Sequence, residues 1–265
     1  MTRAAWALAA VTLLAAAAPA RAAPTITMSG EQVTQALVAD LAYFYRHSTR
    51  RPPRFELTGG GTNAGIADTV RGISRAALVS RDLGPEDPPG LRLTRLATSG
   101  ICLVTNKANP VPALSRGQLQ DIVAGRASAW GQVPGSPRGD PIVPVDLGQT
   151  TGAGRVFERV FVDVETPFDW RAVTVQTTAQ ARDYVEADPA AFGYVDLALT
   201  RPLHVIAYEG IACTRETIRS GAYPARRPLG VVTRGRPKGA LKRFLAWART
   251  SRVARRVIAT RYIPG

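Results

Sequence analysis

Three times along this chain a strand-like run ends in small or hydroxyl residues and opens directly into a helical pattern: "SGEQ" (29–32), "GGTNAG" (60–65) and "GQTTGAGR" (148–155). Strand, tight loop and helix in repeated succession suggest βα units and a mainly parallel sheet. A helix start carries unpaired N–H groups and about half a positive charge, so several such loops meeting at one point form an anion site. In open α/β sheets ligands lie at the carboxyl ends of the strands, where these loops must be. Any one of the three alone reads equally well as a tight turn.

The rest of the chain continues the alternation. After "TITMSG", residues Glu31 to Arg46 place Val33, Leu37, Leu41, Phe44 and Tyr45 at helical spacing, predicting one buried face. "RFEL" leads through the glycine loop to a helix carrying Ile66, Val70 and Ile73, and "RAALVSRDL" reads as a short buried strand. "SGICLVTNKANPV" is a strand entering a turn; Ser115 is the expected N-cap of a helix with Leu119, Ile122 and Val123 on one face. "DPIVPVDLG" is a strand, followed by a helix with Phe157, Val160 and Phe161 inside. "TTAQARDYVEADPAAFGYVDLAL" is helix, loop and strand. "PKGALKRFLAWART" is a helix burying Leu241, Phe244, Leu245 and Ala248.

Residues 1–22 combine Arg3, an apolar run from Ala4 to Ala18 and the motif Ala20-Arg21-Ala22, the pattern of a cleaved secretory signal. The run is shorter than the roughly 20 residues of a membrane span. A mature protein beginning at Ala23, free in the periplasm and without a lipid anchor, is expected. In that oxidising compartment Cys102 and Cys213 can pair, although sequence does not fix their separation.

Composition separates the function classes. With 45% hydrophobic and 20% charged residues the chain is globular rather than disordered. The formal charge is +14, or about +12 without Arg3 and Arg21. Nearly all cations are arginine, only Lys107, Lys238 and Lys242 being lysine. They are scattered along the sequence without a basic-aromatic motif, so arginine-rich coding bias explains them as well as nucleic-acid binding, and no nucleic-acid partner is expected. His47 and His204 have no partner spacing for a metal and lie near no nucleophile motif; both read as surface or strand residues. No cofactor is implied.

"SGICLVTNKANPVPALSRGQLQDIVAGRASAWGQV", "DPAAFGYVDLAL" and "TRETIRSGAYPARRPLGVVTRGRPKG" together resemble phosphate-binding proteins of ABC importers, the PstS-type family of periplasmic substrate-binding proteins. The family pattern for the first stretch is D-G-I-A-V-I-V-N-P-x-N-P-V-x-x-L-T-x-x-Q-L-x-x-I-F-x-G-x-I-x-x-W. The resemblance implies a two-lobed α/β fold of type II-like character, two hinge-linked Rossmann-like lobes that close on a ligand. Lobe 1 would comprise 23–98 and 200–265 and lobe 2 residues 99–199, with the chain crossing near Ser99 and returning after Tyr194. It further implies ligand contacts from four loops, which here are Gly30, Glu31 and Gln32; Gly61, Thr62 and Asn63; Ser80 and Arg81; and Thr150, Thr151, Gly152 and Arg155. The first loop departs from the family's G-S/T by placing Glu31 after Gly30, and the fourth lacks the arginine that opens the family's R-E-x-G-S-G-T-R.

The expected function is therefore capture of phosphate or another small oxyanion by a periplasmic monomer serving the membrane subunits of an ABC importer, without catalysis. One alternative is a sensory or interaction protein with a degenerate pocket. Another is a phosphate-ester hydrolase using Ser80 or Thr62, for which no base or metal set is evident.

Overall fold

The computed structural model describes residues 23–265 except 150, 164 and 170. The expected signal at 1–22 and the expected ligand residue Thr150 lie outside the described residues. In chain order, β1 (Thr25–Gly30), α1 (Gln32–His47), β2 (Arg54–Gly59), α2 (Gly61–Arg71) and β3 (Ala76–Val79) form two consecutive βα units and a third strand. The long strand β4 (Leu91–Thr105) follows, then β5 (Ala113–Leu114), α3 (Arg116–Val123), a 3-10 turn at Trp130–Gln132 and β6 (Val143–Asp146). Next come α4 (Gly152–Phe157), which loosens into a π turn over Glu158–Val162, β7 (Val173–Thr174), α5 (Thr178–Ala187) and β8 (Ala191–Asp196). After a 3-10 turn at Leu197–Leu199, β9 (His204–Tyr208), α6 (Arg215–Ser220), β10 (Arg226–Arg234), α7 (Gly239–Thr250), α8 (Arg252–Arg261) and β11 (Ile263–Pro264) complete the fold.

β1 lies between β2 and β3, parallel to both, and β10 runs antiparallel between β3 and the first half of β4. From Ile101 to Thr105, β4 changes partners and pairs antiparallel with β8 and β9, while β6 joins β8 and β7 in parallel. One strand thus belongs to two lobes. Its neighbour β10 makes the second crossing, where Ile101 N donates to Ala225 O at 2.9 Å.

Each lobe has its own core. In the first, Leu37, Val38, Leu41 and Tyr45 of α1 pack with Phe244, Leu245 and Ile258 against Ile26, Met28 and Leu78 of the sheet. In the second, Leu119, Ile122 and Val123 of α3 meet Trp130, Phe157, Phe161 and Tyr194 around Leu103 and Val104. Loss of one such leucine to alanine costs about 2–5 kcal/mol through lost transfer energy and the cavity left behind. Ser115 caps α3 through a reciprocal capping box with Gln118, and Thr177 does the same for α5 with Gln180.

The structure corrects three expectations. Residues 204–225, assigned by resemblance to lobe 1, pack in lobe 2, because β9 pairs with β4 and Ile206, Tyr208, Cys213, Ile218, Tyr223 and Ala225 enter the second core. The return to lobe 1 is made by β10 at residues 225–227. Phe44 is 41% exposed, since the buried stripe of α1 is centred on Leu37, Leu41 and Tyr45 and Phe44 sits on its flank. Ile73 is 64% exposed: Gly72, at φ 78°, ends α2 in a left-handed cap and turns the next side chain outward. Cys102 and Cys213 form a disulfide within lobe 2 across a sequence separation of 111 residues.

Candidate functional site

A cavity of about 280 Å³ lies between the lobes, and four helices point their N-termini at it. Glu31 and Gln32 open α1 and Gly60 and Gly61 open α2 on one side; Thr151 opens α4 and Thr177 and Thr178 open α5 on the other. Val33, Leu147, Ala153 and Gln176 complete the wall. The sequence explains the convergence: each of these helices follows a strand of a parallel pair, so its start falls at the strand's carboxyl edge. Thr151 Oγ1 accepts from Gly154 N at 2.9 Å and donates to Gly148 O at 3.3 Å, while Thr177 Oγ1 accepts from Gln180 N at 3.1 Å and keeps its hydroxyl hydrogen to donate. Glu31 is the only charged side chain among the lining residues, and it makes no capping bond to its own helix.

Beneath the cavity the two lobes touch through small groups. Ser80, at the end of β3, is fully buried and donates its backbone N–H to Thr62 Oγ1 at 3.2 Å. Its hydroxyl accepts from Arg227 Nη1 at 3.2 Å. Arg227, 1% exposed, pairs through Nη2 with the buried Asp196 at 2.8 Å. Asp196 accepts in turn from Ser99 Oγ at 2.9 Å and Ala198 N at 3.0 Å. Gly152 closes this arrangement from lobe 2. A Cβ there would lie 2.3 Å from Ser80 Oγ, 3.3 Å from Glu31 Oε2 and 3.6 Å from Arg227 Nη1, so only glycine lets the four groups meet. Gly30 ends β1 against Leu78, whose backbone oxygen a side chain would strike at 2.2 Å.

The structure therefore brings Glu31, Gln32, Gly61, Thr62, Ser80, Thr151 and Gly152 together around the cavity and its floor. Three expected residues go elsewhere. Asn63, Arg81 and Arg155 line a separate depression with Glu86 and Asp87. Arg81 donates to Asp87 at 2.6 and 2.8 Å and to Asn63 Oδ1 at 3.1 Å, while Arg155 Nε donates to Gln149 O at 2.8 Å. The Arg81 hydrogen bonds hold the Asp87 carboxyl below its ordinary value, with a smaller contribution from Arg155. Sequence reading missed Thr177, although its T-x-x-Q capping box was a visible signal. It also missed Arg227, whose partners Ser80 and Asp196 are 147 and 31 residues away. His47 caps the exposed end of α1 on Tyr43 O, and His204 lies in β9 against Val111 O.

Two lobes sharing a pair of crossing strands, with helix N-termini facing each other across a cavity, define the class of bilobal binding proteins. The chain belongs to the PBP superfamily, whose domain model matches residues 15–252. Among curated relatives, phosphate-binding protein PstS 2 of Streptococcus pneumoniae is 26% identical over 108 residues, covering 41% of this chain and 37% of its own. PstS of Borreliella burgdorferi is 22% identical over 188 residues, 65% of this chain and 66% of its own. The first of these alignments thus spans little more than a third of the relative. Among solved structures, one assigned as a phosphate ABC transporter substrate-binding protein of Clostridium perfringens, with bound phosphate, superposes with a TM-score of 0.82 at 22% identity, covering 91% of this chain and 98% of the other. An ABC-type phosphate transport receptor of Vibrio cholerae gives 0.73 at 25% identity, covering 91% and 100%.

Proposed function

We propose that this protein captures phosphate or a related small oxyanion in the interlobe cavity and presents it to the membrane subunits of an ABC importer. The observation that carries the reading is the convergence of four helix N-termini, two from each lobe, on one cavity. An anion there meets preorganised N–H donors from both sides and so rewards closure of the lobes about β4 and β10. Gln32, Gly61, Thr151, Thr177 and Thr178 supply the approach, and Thr62, Ser80 and Gly152 the floor. Arg227 acts through Ser80: its charge is balanced by Asp196, and its bond to the Ser80 oxygen leaves the Ser80 hydrogen to donate. Glu31 selects the protonation state. A carboxylate repels any nearby anion, by about 4 kcal/mol per pair of unit charges at 4 Å and an effective dielectric of 20, and a monoprotonated oxyanion offsets this by donating a hydrogen bond that a fully ionised one lacks. The protein is exported to the periplasm as a monomer, processed after Ala22.

Calorimetric titration of ligand-stripped protein with phosphate, arsenate and sulfate near neutral pH tests this reading. Saturable one-site binding of phosphate and arsenate, with sulfate weaker, is the expected result; no binding of any of the three would overturn it. Glu31 also motivates a second reading, in which the cavity has lost anion capture and the fold serves as a sensory or interaction subunit. That reading expects no heat with any oxyanion even after Glu31→Gln.

A further inference from the structure

The arginines that look scattered in the sequence are gathered by the fold. Residues 99–225, which build lobe 2 with its crossings, carry eleven Lys and Arg against thirteen Asp and Glu. Lobe 1, from residues 23–98 and 226–265, carries twenty-one against seven, and its last forty residues hold twelve cations and no acid. Coding bias would raise arginine in both lobes alike and would not strip acids from one of them. Of those twelve cations only Arg227 is buried; the others are exposed.

The cations also have apolar company. The large hydrophobic side chains left exposed among the described residues are Tyr43, Phe44, Ile73 and Val253, all in lobe 1. Tyr43 and Phe44 lie on α1, against which both α7 and α8 pack. Arg261 of α8 reaches Asp40, one turn before Phe44, at 3.9 Å. At the other end of α1, Arg50 and Arg51 share a shallow depression with Arg243 of α7. Two aromatic side chains of α1, edge-on to each other at 5.3 Å, thus lie in sequence between Asp40, which Arg261 reaches, and the arginines that follow the helix.

We propose that this face of lobe 1, formed by the C-terminal part of α1 with α7 and α8, docks on an anionic phospholipid bilayer surface. Cations spread over three helices, with Arg50, Arg51 and Arg243 sharing a depression, suit a diffuse negative surface, and exposed Tyr, Phe and Val among them suit the headgroup boundary, where apolar side chains gain burial and arginine stems lie flat. A nucleic-acid phosphate backbone would use the charge but gives little role to an aliphatic side chain such as Val253, and an acidic protein is told apart by the polyanion arm of the test below. Docking leaves the interlobe cavity open, and the inference does not depend on what that cavity binds.

Protein recovered from cells expressing the full chain would be sedimented with mixed phosphatidylglycerol–phosphatidylcholine vesicles and with pure phosphatidylcholine vesicles, at low and high salt. Salt-sensitive partitioning onto the anionic vesicles alone is expected; equal partitioning onto both, or none onto either, overturns the proposal. Neutralising Arg51, Arg243, Arg252 and Arg256 together to glutamine should weaken binding at least a hundredfold, each surface cation contributing roughly fivefold, about 1 kcal/mol. The same charge change in lobe 2, at Lys107, Arg159, Arg201 and Arg219, should leave binding within about twofold, since those positions belong to the other lobe and lie outside the proposed face. Equal losses in the two variants would reduce the effect to net charge and sink the assignment. Tyr43→Ser with Phe44→Ser should remove the binding that survives high salt, and survival of that component unchanged counts against it. Tighter salt-resistant binding to polyglutamate or duplex DNA than to the anionic vesicles would overturn it as well.

Discussion

The cavity between Glu31 and Thr177 and the depression between Arg81 and Arg155 are both bounded by both lobes, yet they treat charge in opposite ways. In the depression the charges lie mostly on side chains that already have partners: Arg81 is bidentate on Asp87, Glu86 stands 3.6 Å from the same guanidinium, and Arg155 is bonded to a backbone oxygen, with Arg71 at the edge. In the cavity the positive potential comes from backbone, at four helix starts, and the one formal charge on the wall is negative. Full charges on side chains attract one another and are consumed. Backbone dipoles fixed by helices cannot rotate to satisfy themselves, so they remain available to a ligand. The arginines that look most like anion ligands in the sequence are therefore the poorer candidates.

The largest expected effect concerns the floor beneath the cavity, where the comparison predicts stability rather than affinity. Arg227→Met leaves the Asp196 carboxylate buried with only Ser99 and Ala198 as donors, and unfolding in urea should show a loss of about 3–5 kcal/mol. Adding Asp196→Leu should restore much of it, because the pair as a whole is expensive to desolvate. A loss under about 1 kcal/mol in the single variant would mean that Asp196 is not held as a buried charge. Gly61→Val comes next. Gly61 sits at φ 80° with no atom within 4 Å of a Cβ, so valine fits in space but is strained in backbone and projects at the cavity. Phosphate affinity should fall about 10- to 100-fold in calorimetry, the value of one or two charge-assisted hydrogen bonds; an unchanged affinity in folded protein would make the loop a turn and nothing more. Glu31→Gln should act in opposite directions on two ligands, weakening phosphate about tenfold and strengthening sulfate, each through one hydrogen bond gained or lost. Parallel changes in both anions would place Glu31 outside the site.

How much of this was legible in the sequence depended on the range of the interactions. The helix starts were readable because their signals are local: the capping box of Ser115 with Gln118, and the apolar stripe of α1 that begins just after Glu31. The expected face of α1 was right in Leu37, Leu41 and Tyr45 and failed at Phe44, where periodicity alone does not say how wide the buried stripe is. The first half of β4, "LRLTRLAT", was missed because polar residues interrupt it; it owes its strand to β10 on one side, and β10 lies more than a hundred residues on. The same distance hid the change of lobe at residues 225–227 and the Arg227 network, and left the Cys102–Cys213 pairing open. The α/β class followed from local alternation and the two-lobed form from the family resemblance, while the floor of the site rests on pairings that no window of sequence contains.

The smallest expected effect is the one that most sharpens the contrast between the two regions. If the depression is separate from the anion site, Arg155→Gln and Asp87→Asn should each change phosphate affinity by less than about twofold, because a solvent-screened charge already engaged by a neighbour contributes little at a distance. The two variants should nevertheless differ in acid. Hydrogen bonds from Arg81 hold the folded-state value for Asp87 below its ordinary range, so the stabilisation this group provides is complete above the unfolded carboxyl value of about 3.9 and is lost as pH falls through the lower folded value. Asp87→Asn should remove that acid-limb dependence from the urea midpoint, whereas Arg155→Gln, which removes only the lesser contribution to the shift, should largely preserve it. Should Arg155→Gln instead lower phosphate affinity tenfold, with the acid limb intact, the depression would join the cavity as part of one anion site, and the division between spent side-chain charge and available backbone dipole would fail for this protein.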